Sequence, residues 1–173
     1  TSTRLPKLEL PKFDGNIEHW QTFFDTFSSL VHQNNNISSI EKFHYLLSCI
    51  SGSALSIAKG VPVTADNYNI VLEALIERFQ NKRVLAVTYL DKISNFAPLK
   101  CTNFHDLRDL TNILHETVNA LKAIKIKELD EFILFYLASR VLDTDTRKRF
   151  EIQANQDKIP TFTELLTFLQ TGL

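Results

Sequence analysis

The residues that most often perform catalysis or bind metals are few in this sequence, and their spacing matches no catalytic motif. The histidines have neither the His-Glu-x-x-His order nor another metal-ligand spacing. They are His19, His32, His44, His105 and His115. The 4 glycines are too far apart for a phosphate-binding loop, and no Gly-x-Ser-x-Gly elbow is present. We therefore expect a protein that is not an enzyme, with no cofactor, no metal site and no small-molecule substrate.

Two further groups of potentially reactive residues have a structural interpretation. Asp143-Thr144-Asp145 resembles the Asp-Thr-Gly of aspartic proteases but lacks the glycine, so it is better interpreted as a helix start capped by Thr144 or Asp143. Cys49 and Cys101 lack the Cys-x-x-Cys spacing of a zinc site. Two thiols without that spacing are typical of a protein in a reducing compartment. Cys49 lies in an apolar run, which predicts a buried structural thiol.

The charge balance argues against direct binding of nucleic acid. The chain has 19 Lys+Arg against 20 Asp+Glu, whereas a protein that neutralises many phosphates needs a basic excess or stripe. Two small basic clusters, 122–127 and 147–149, are interpreted as solvated helix ends. No apolar run approaches the roughly 18–20 residues that span a bilayer, so we expect no membrane contact. Because the chain contains no Met, we expect it to be a piece of a longer polypeptide.

Helices must position these histidines, cysteines and charged residues. The sequence has only 4 Gly and 5 Pro, which is too few for the many turns of a β fold. The segment 5–13 carries two prolines and is predicted to be extended, followed by a turn at Asp14-Gly15. From Ile17 onward, apolar residues at helical spacing predict an amphipathic helix with an aromatic stripe. Capping boxes are predicted at Ser38 with Glu41 and at Thr161 with Glu164.

The remaining helices are predicted from breaks between apolar periods. Gly60 is expected to stop a short helix over 53–59, and Thr64 to cap the next helix, over 66–80. After a polar break over 81–83, a helix is expected to continue until Pro98 ends it, and Thr102 is expected to cap the longest helix. Helices over about 128–142 and 145–156 precede the last capping box.

The predicted helix over 128–142 is apolar around nearly its whole circumference. A helix of that kind must be covered on all sides, either at the centre of one core or partly by another molecule. A lobe of about 90 residues buries only roughly 60–65% of its chain's surface, which leaves room for a contact with another molecule. The pattern alone leaves both interpretations open.

Several phrases of the sequence, in order, resemble the Gag region of BEL/Pao-type LTR retrotransposons. The resemblance covers nearly the whole chain and rests on the combined order and spacing of these phrases. They are Leu10-Pro11-Lys12-Phe13-Asp14-Gly15, Glu41-Lys42-Phe43, Gly52-Ser53-Ala54, Val61-Pro62-Val63-Thr64, Glu77-Arg78-Phe79, and the closing stretch 160–169. The family-motif core would comprise Trp20, Phe23, Phe27, Tyr45, Phe79 and Phe168.

The resemblance implies an all-α, two-lobed capsid fold related to retroviral, gypsy-type and Arc capsid domains. A short extended arm (1–13) would precede an N-terminal lobe (14–81) and a C-terminal lobe (82–173). Such a protein would form homodimers and larger shells in cytoplasmic virus-like particles and enclose element RNA through segments outside this chain. By order along the chain, the helix over 128–142 corresponds to the two-fold dimer helix, with Phe132, Phe135, Tyr136 and Ser139 as candidates for the contact.

An alternative implied by the same resemblance is a domesticated, Gag-derived adaptor that binds peptide or protein partners in an apolar groove. The arm has the form such a groove could accept, because Leu8 and Leu10 alternate about Glu9 and Phe13 follows. We therefore predict groove contacts at Leu8, Leu10 and Phe13.

Overall fold

The structure is a computed structural model that describes residues 8–100, 103–155 and 158–172. Within these ranges the chain is helical and contains no strand, which confirms the all-α prediction. A 3₁₀ turn (Ile17–His19) precedes the first helix and a π turn (Ser28–His32) follows it. The helices are α1 (Trp20–Phe27), α2 (Ser39–Cys49), α3 (Gly52–Ala58), α4 (Ala65–Phe79), α5 (Lys82–Ser94), α6 (Phe104–Ala123), α7 (Leu129–Ser139), α8 (Thr144–Gln153) and α9 (Phe162–Thr171).

The chain divides into two compact units between Asn81 and Lys82. Each unit has its own cluster of buried apolar side chains, and the two clusters share no residue. We refer to them as the N-terminal unit, which contains α1 to α4, and the C-terminal unit, which contains α5 to α9.

The core of the N-terminal unit is built around the aromatic stripe of α1. Trp20, Phe23 and Phe27 point inward and are buried, together with Phe43 of α2 and Phe79 of α4. The helices α2 and α4 pack against each other and α3 packs on α4. The aromatic side chains of α1 therefore fill a core, as their helical spacing predicts.

Helix starts in both units follow side-chain caps. Both predicted capping boxes are present, with Ser38 and Glu41 at α2 and Thr161 and Glu164 at α9. Thr64 accepts a hydrogen bond from the backbone N–H of Asn67, as predicted. Gly60 follows α3 with φ of +79°, which is the left-handed stop expected there.

Some predicted boundaries differ from the structure. α5 begins at Lys82 rather than after Arg83, and it ends at Ser94, ahead of Pro98, which disfavours helical geometry at the preceding residue. α6 is capped by Asn103, whose side chain accepts from the backbone N–H of His105 at 3.0 Å. The predicted cap Thr102, residues 1–7 of the predicted arm and Gln156 lie outside the described residues.

The core of the C-terminal unit is centred on α7, which packs against α9. Phe132, Phe135 and Tyr136 fill its centre with Phe150 of α8 and Leu165 of α9. α5 packs along α6 and contributes the buried Ala86 and Leu90, whereas α6 buries only Thr117 and Leu121 near its C-terminal end.

Candidate interaction surfaces

The aromatic residues predicted at a dimer contact lie inside the C-terminal unit. Phe132, Phe135 and Tyr136 are 0%, 5% and 6% exposed, and the ring of Phe135 lies 5.5 Å from that of Phe150. Their prediction as surface contacts is therefore wrong, because these large rings fill the core of their own unit. Ser139 is half-buried and donates its hydroxyl to the carbonyl oxygen of Tyr136 at 3.0 Å.

The hydroxyl of Tyr136 is held by polar groups of two helices. It donates to Asp91 Oδ1 of α5, and it lies 2.9 Å from the hydroxyl of Ser94. Arg140 donates to it at 3.2 Å. Burial raises the pKa of Tyr136, and the hydrogen bond to Asp91 raises it further. This network fixes α7 to α5.

The opposite side of α7 carries an uncovered apolar row. Leu134, Leu137 and Val141 are 47%, 53% and 84% exposed, and Asp130 begins the same row one turn earlier. Spacings of four and three residues place Asp130, Leu134 and Leu137 on one side of the helix, and Val141 follows in the turn after the helix ends at Ser139. We call these four positions the outer face of α7. Asp130 alone does not identify this side of the helix from the sequence, because the neighbouring Glu131 is also acidic and binds Thr163 of α9.

The two ends of α7 carry opposite charges. Asp130 and Glu131 lie in its first turn and Arg140 is its C-cap, an arrangement that also matches the helix dipole. One oxygen of Glu131 accepts from the backbone N–H and the hydroxyl of Thr163, at 2.9 and 3.0 Å, which connects α7 to the start of α9.

The described part of the arm lies against its own unit. Phe13 is 1% exposed, and its ring lies 4.9 Å from that of Phe79. Its backbone forms a parallel bridge with Ile50, with Phe13 N donating to Cys49 O at 2.8 Å and Ser51 N donating to Phe13 O at 2.9 Å.

The three predicted groove contacts differ in burial. Phe13 is in the core, Leu10 is half-buried and packs against it, and Leu8 is 74% exposed. Lys12 adds a hydrogen bond from its ammonium group to the carbonyl oxygen of Ser48 at 2.7 Å. Nothing in the described part of this unit covers Leu8.

The residues of the predicted family-motif core also differ in burial. Trp20, Phe23, Phe27 and Phe79 are buried and Phe168 is half-buried, packed against the core of the C-terminal unit. Tyr45 is exposed, so its place in the predicted core is wrong. The inward side of α2 is formed by Phe43, Leu46 and Cys49, three residues apart, and position 45 falls to one side of that line.

His32 and Tyr68 form a partly buried polar contact in the N-terminal unit. Its Nδ1 lies 2.8 Å from the hydroxyl of Tyr68, while Lys42 donates to its carbonyl oxygen at 2.7 Å. Burial and the charge of Lys42 lower the pKa of His32, and burial raises the pKa of Tyr68 to about 12. Burial also raises the pKa of the Cys49 thiol.

The described residues offer neither a metal-binding cluster nor a helix suited to a bilayer. Within 8–100, 103–155 and 158–172, no three His, Cys, Asp or Glu side chains converge in a way that would hold a metal ion. In the same ranges, no helix combines the length and apolarity that crossing a membrane requires.

Residues 13–158 match the model of a family described as "Protein of unknown function (DUF1759)". No curated protein and no solved structure matches the chain.

Proposed function

The chain belongs to the DUF1759 family, a domain found in retrotransposon Gag/Pol-like proteins, and from that premise we propose that it is a self-assembling structural protein. In this proposal it is the capsid domain of a BEL/Pao-type LTR retrotransposon and has no catalytic role. Copies would form dimers and then shells that enclose element RNA in cytoplasmic virus-like particles.

The outer face of α7 is the observation that carries the proposal. Leu134 and Leu137 expose apolar surface on a helix whose other side already fills a core, and Val141 adds to this surface in the turn after the helix. Aliphatic side chains on one helix face can be covered by the same face of a second copy, because a two-fold contact uses one self-complementary patch twice.

Charge and geometry favour an antiparallel pair of α7 helices. A two-fold axis between positions 135 and 136 brings Leu134 of one copy opposite Leu137 of the other. Asp130 and Glu131 of one copy then lie at the same end as the partner's Arg140. Opposite charges at each end set the register, whereas burial of the leucines supplies the stability.

The experiment compares the molar mass of four proteins by size-exclusion chromatography with light scattering over a concentration series. We expect wild type to form a dimer or larger species as concentration rises, and Leu137→Asp to remain monomeric with an unchanged helical circular-dichroism spectrum. Ile152→Asp is the matched control, because Ile152 is also highly exposed in the C-terminal unit but lies on α8. It should assemble like wild type.

Phe135→Asp separates an interface role from a core role. Since Phe135 is buried, we expect this variant to lose the fold of the C-terminal unit rather than assembly alone. Wild-type assembly by Leu137→Asp would rule out the outer face of α7, and a wild type that is monomeric at every concentration would rule out self-assembly by this chain.

A second candidate function is that of a Gag-derived adaptor, which the arm contact favours. The N-terminal unit already accepts part of this segment, because Leu10 packs against its core and the Lys12 ammonium group donates to the carbonyl oxygen of Ser48. A chain lacking residues 1–12 should bind a synthetic peptide of that segment if the contact can form between molecules. No binding, with unchanged stability and association of the truncated chain, would argue against a role for the arm.

Binding of RNA is proposed to lie outside this chain. The 19 basic and 20 acidic residues provide no excess positive charge for a phosphate backbone. A filter-binding assay at low salt should show only weak retention of RNA. Submicromolar affinity that falls steeply with added salt would overturn this part of the proposal.

A further inference from the structure

A small cavity lies within the C-terminal unit, between α5, α7 and α8. Its volume is about 230 Å³. Its floor is apolar and consists of Val87, Phe132 and Phe135. Its rim carries the side chains of three arginines and two carboxylates. The combination of an apolar floor with a charged rim is typical of a site that orients a ligand by one polar end.

Arg83 is already neutralised by one of the two carboxylates. Both of its terminal nitrogens bind the carboxylate of Glu151, with Nη1 2.9 Å from Oε2. A fork-to-fork pair of this kind is the strongest arrangement for arginine and a carboxylate. Arg83 and Glu151 therefore form a fixed wall of the cavity rather than a free binding group.

The second carboxylate, Asp91, is also occupied. It accepts the hydroxyl of Tyr136, which is in addition 2.9 Å from the hydroxyl of Ser94. These hydrogen bonds hold the side chain of Tyr136 in place and direct the charge of Asp91 toward Tyr136.

Arg140 and Arg147 complete the rim, and each uses few of its donors. Arg140 donates to Tyr136 Oη at 3.2 Å, and Arg147 donates to the carbonyl oxygen of Leu142 at 2.9 Å. Within the part of the chain that the structure describes, neither forms an ion pair with a carboxylate. Since a guanidinium group has five N–H donors, both retain donors for a ligand.

The charges of the lining therefore favour an anion. Three arginines against two carboxylates leave one positive charge at the rim, on the side formed by Arg140 and Arg147. We propose that the cavity binds a carboxylate that carries a small apolar group, with the carboxylate on Arg140 and Arg147 and the apolar group on the phenylalanine floor.

The size and the floor of the cavity select this ligand over others. About 230 Å³ is less than the roughly 300–1,000 Å³ of pockets that enclose a drug-sized ligand, so a nucleotide is too large. A phosphate ion has no apolar group that could cover the floor of the cavity, and it would lose hydration on entering the cavity. A single amino-acid-sized acid satisfies both the floor and the rim, and it can be a free acid or the terminus of a peptide.

The test is an NMR titration of the ¹⁵N-labelled full chain with N-acetyl-leucine. N-acetyl-leucinamide is the matched probe, because it has the same apolar group but no charge. We expect saturable shifts of α5, α7 and α8 amides with the acid, and binding of the amide weaker by about ten-fold or more, since a charged hydrogen bond contributes more than a neutral one. Equal binding of acid and amide, or no shifts in these helices, would overturn the proposal.

Variants then assign the arginines, and a peptide identifies the source of the acid. Arg147→Gln should weaken binding of the acid by about ten-fold and leave binding of the amide unchanged. Lys148→Gln removes a neighbouring exposed charge outside the cavity and should bind like wild type. A pentapeptide ending in Leu that binds more tightly than the free acid would assign the ligand to a polypeptide terminus.

Ligand binding in the cavity and self-assembly use different side chains except for Arg140, which lies on the cavity rim and also faces Asp130 and Glu131 of the partner copy in the proposed dimer. The cavity lies within one unit, away from the outer row of Leu134, Leu137 and Val141. The Leu137→Asp variant should therefore bind N-acetyl-leucine like wild type, so failure of either proposal is visible without the other.

Discussion

Phe13 connects the extended segment to the core of the N-terminal unit. Its ring lies 5.3 Å from that of Trp20, 5.2 Å from that of Phe23 and 4.9 Å from that of Phe79. Because it touches α1 and α4 together, removal of the ring leaves a space that neither helix can fill alone.

We therefore predict that Phe13→Ala lowers the free energy of unfolding of the N-terminal unit by about 3–5 kcal/mol, as for other buried phenylalanines. Leu8→Ala is the control in the same segment and should stay within about 0.5 kcal/mol of wild type, because Leu8 is largely exposed. Urea denaturation followed by Trp20 fluorescence measures both. Similar losses for the two variants would contradict the core role of Phe13.

His32 makes the stability of the N-terminal unit depend on pH. Its pKa in the folded protein is lowered from the ordinary value of 6.5, so the unfolded chain binds the proton more tightly. The stabilisation is present above pH 6.5 and is lost as pH falls through 6.5 toward the folded pKa. Glu41 has a pKa below its ordinary 4.5 because Ser38 hydrogen-bonds to it, so its contribution is lost only in more acidic solution.

We predict that the free energy of unfolding decreases between about pH 7 and about pH 5.5, and that His32→Gln shows a smaller decrease. Denaturant unfolding at a series of pH values, followed by Trp20 fluorescence, measures the slope for both proteins. An identical slope would mean that other groups cause the pH dependence.

At the scale of elements, the start of α2 offers a clean test of a cap. Ser38 accepts from the backbone N–H of Glu41, while Glu41 accepts from the backbone N–H of Ser38. We predict that Ser38→Ala costs about 0.5–2 kcal/mol of unfolding free energy. Ser39→Ala changes the next residue, which is exposed and helical, and should cost little. Thermal and urea unfolding distinguish the two, and equal effects would contradict the capping box.

Helix starts were predictable because their causes are local. Ser38, Thr64 and Thr161 each bind a backbone N–H three residues along, so the cap and its target lie in one short stretch of sequence. The end of α5 at Ser94 was less predictable, since Pro98 excludes a helix after that point without stating where the last turn closes.

The outer face of α7 was not predictable from its pattern. Phe135 and Leu137 are both apolar and lie two positions apart, yet one fills the core and the other is exposed. A helix that is apolar nearly all round lacks a continuous polar side that would identify its inward side, so the positions of α5, α8 and α9 decide it. For the same reason the cavity at Arg140 and Arg147 was not predictable, because it needs three helices to form.

At the scale of the whole molecule, the chain has two hydrophobic cores. The family-motif residues Trp20 and Phe79 belong to one core and Phe168 packs on the other. The chain has 1 Trp, and it lies in the N-terminal unit, so its fluorescence reports on that unit.

We predict that Phe132→Ala destabilises the C-terminal unit by about 3–5 kcal/mol and leaves the midpoint of the Trp20 fluorescence transition unchanged. Circular dichroism should then show a second transition at lower denaturant concentration. The reciprocal variant, Phe43→Ala, should shift the Trp20 transition instead. A Trp20 midpoint that moves with Phe132→Ala would show that the two cores unfold together.

The contact between Phe13 and Phe79 also affects the order of events during translation. A residue near the start of the first unit packs on the last residue of α4, so this core closes only after Phe79 has left the ribosome. Synthesis proceeds at about 5–20 residues per second, and the C-terminal unit is still unfinished at that moment. The core of the N-terminal unit can therefore form several seconds before α7 is synthesised and exposes its leucines to other nascent chains. Folding of the first unit is thus separated in time from the first contact between copies.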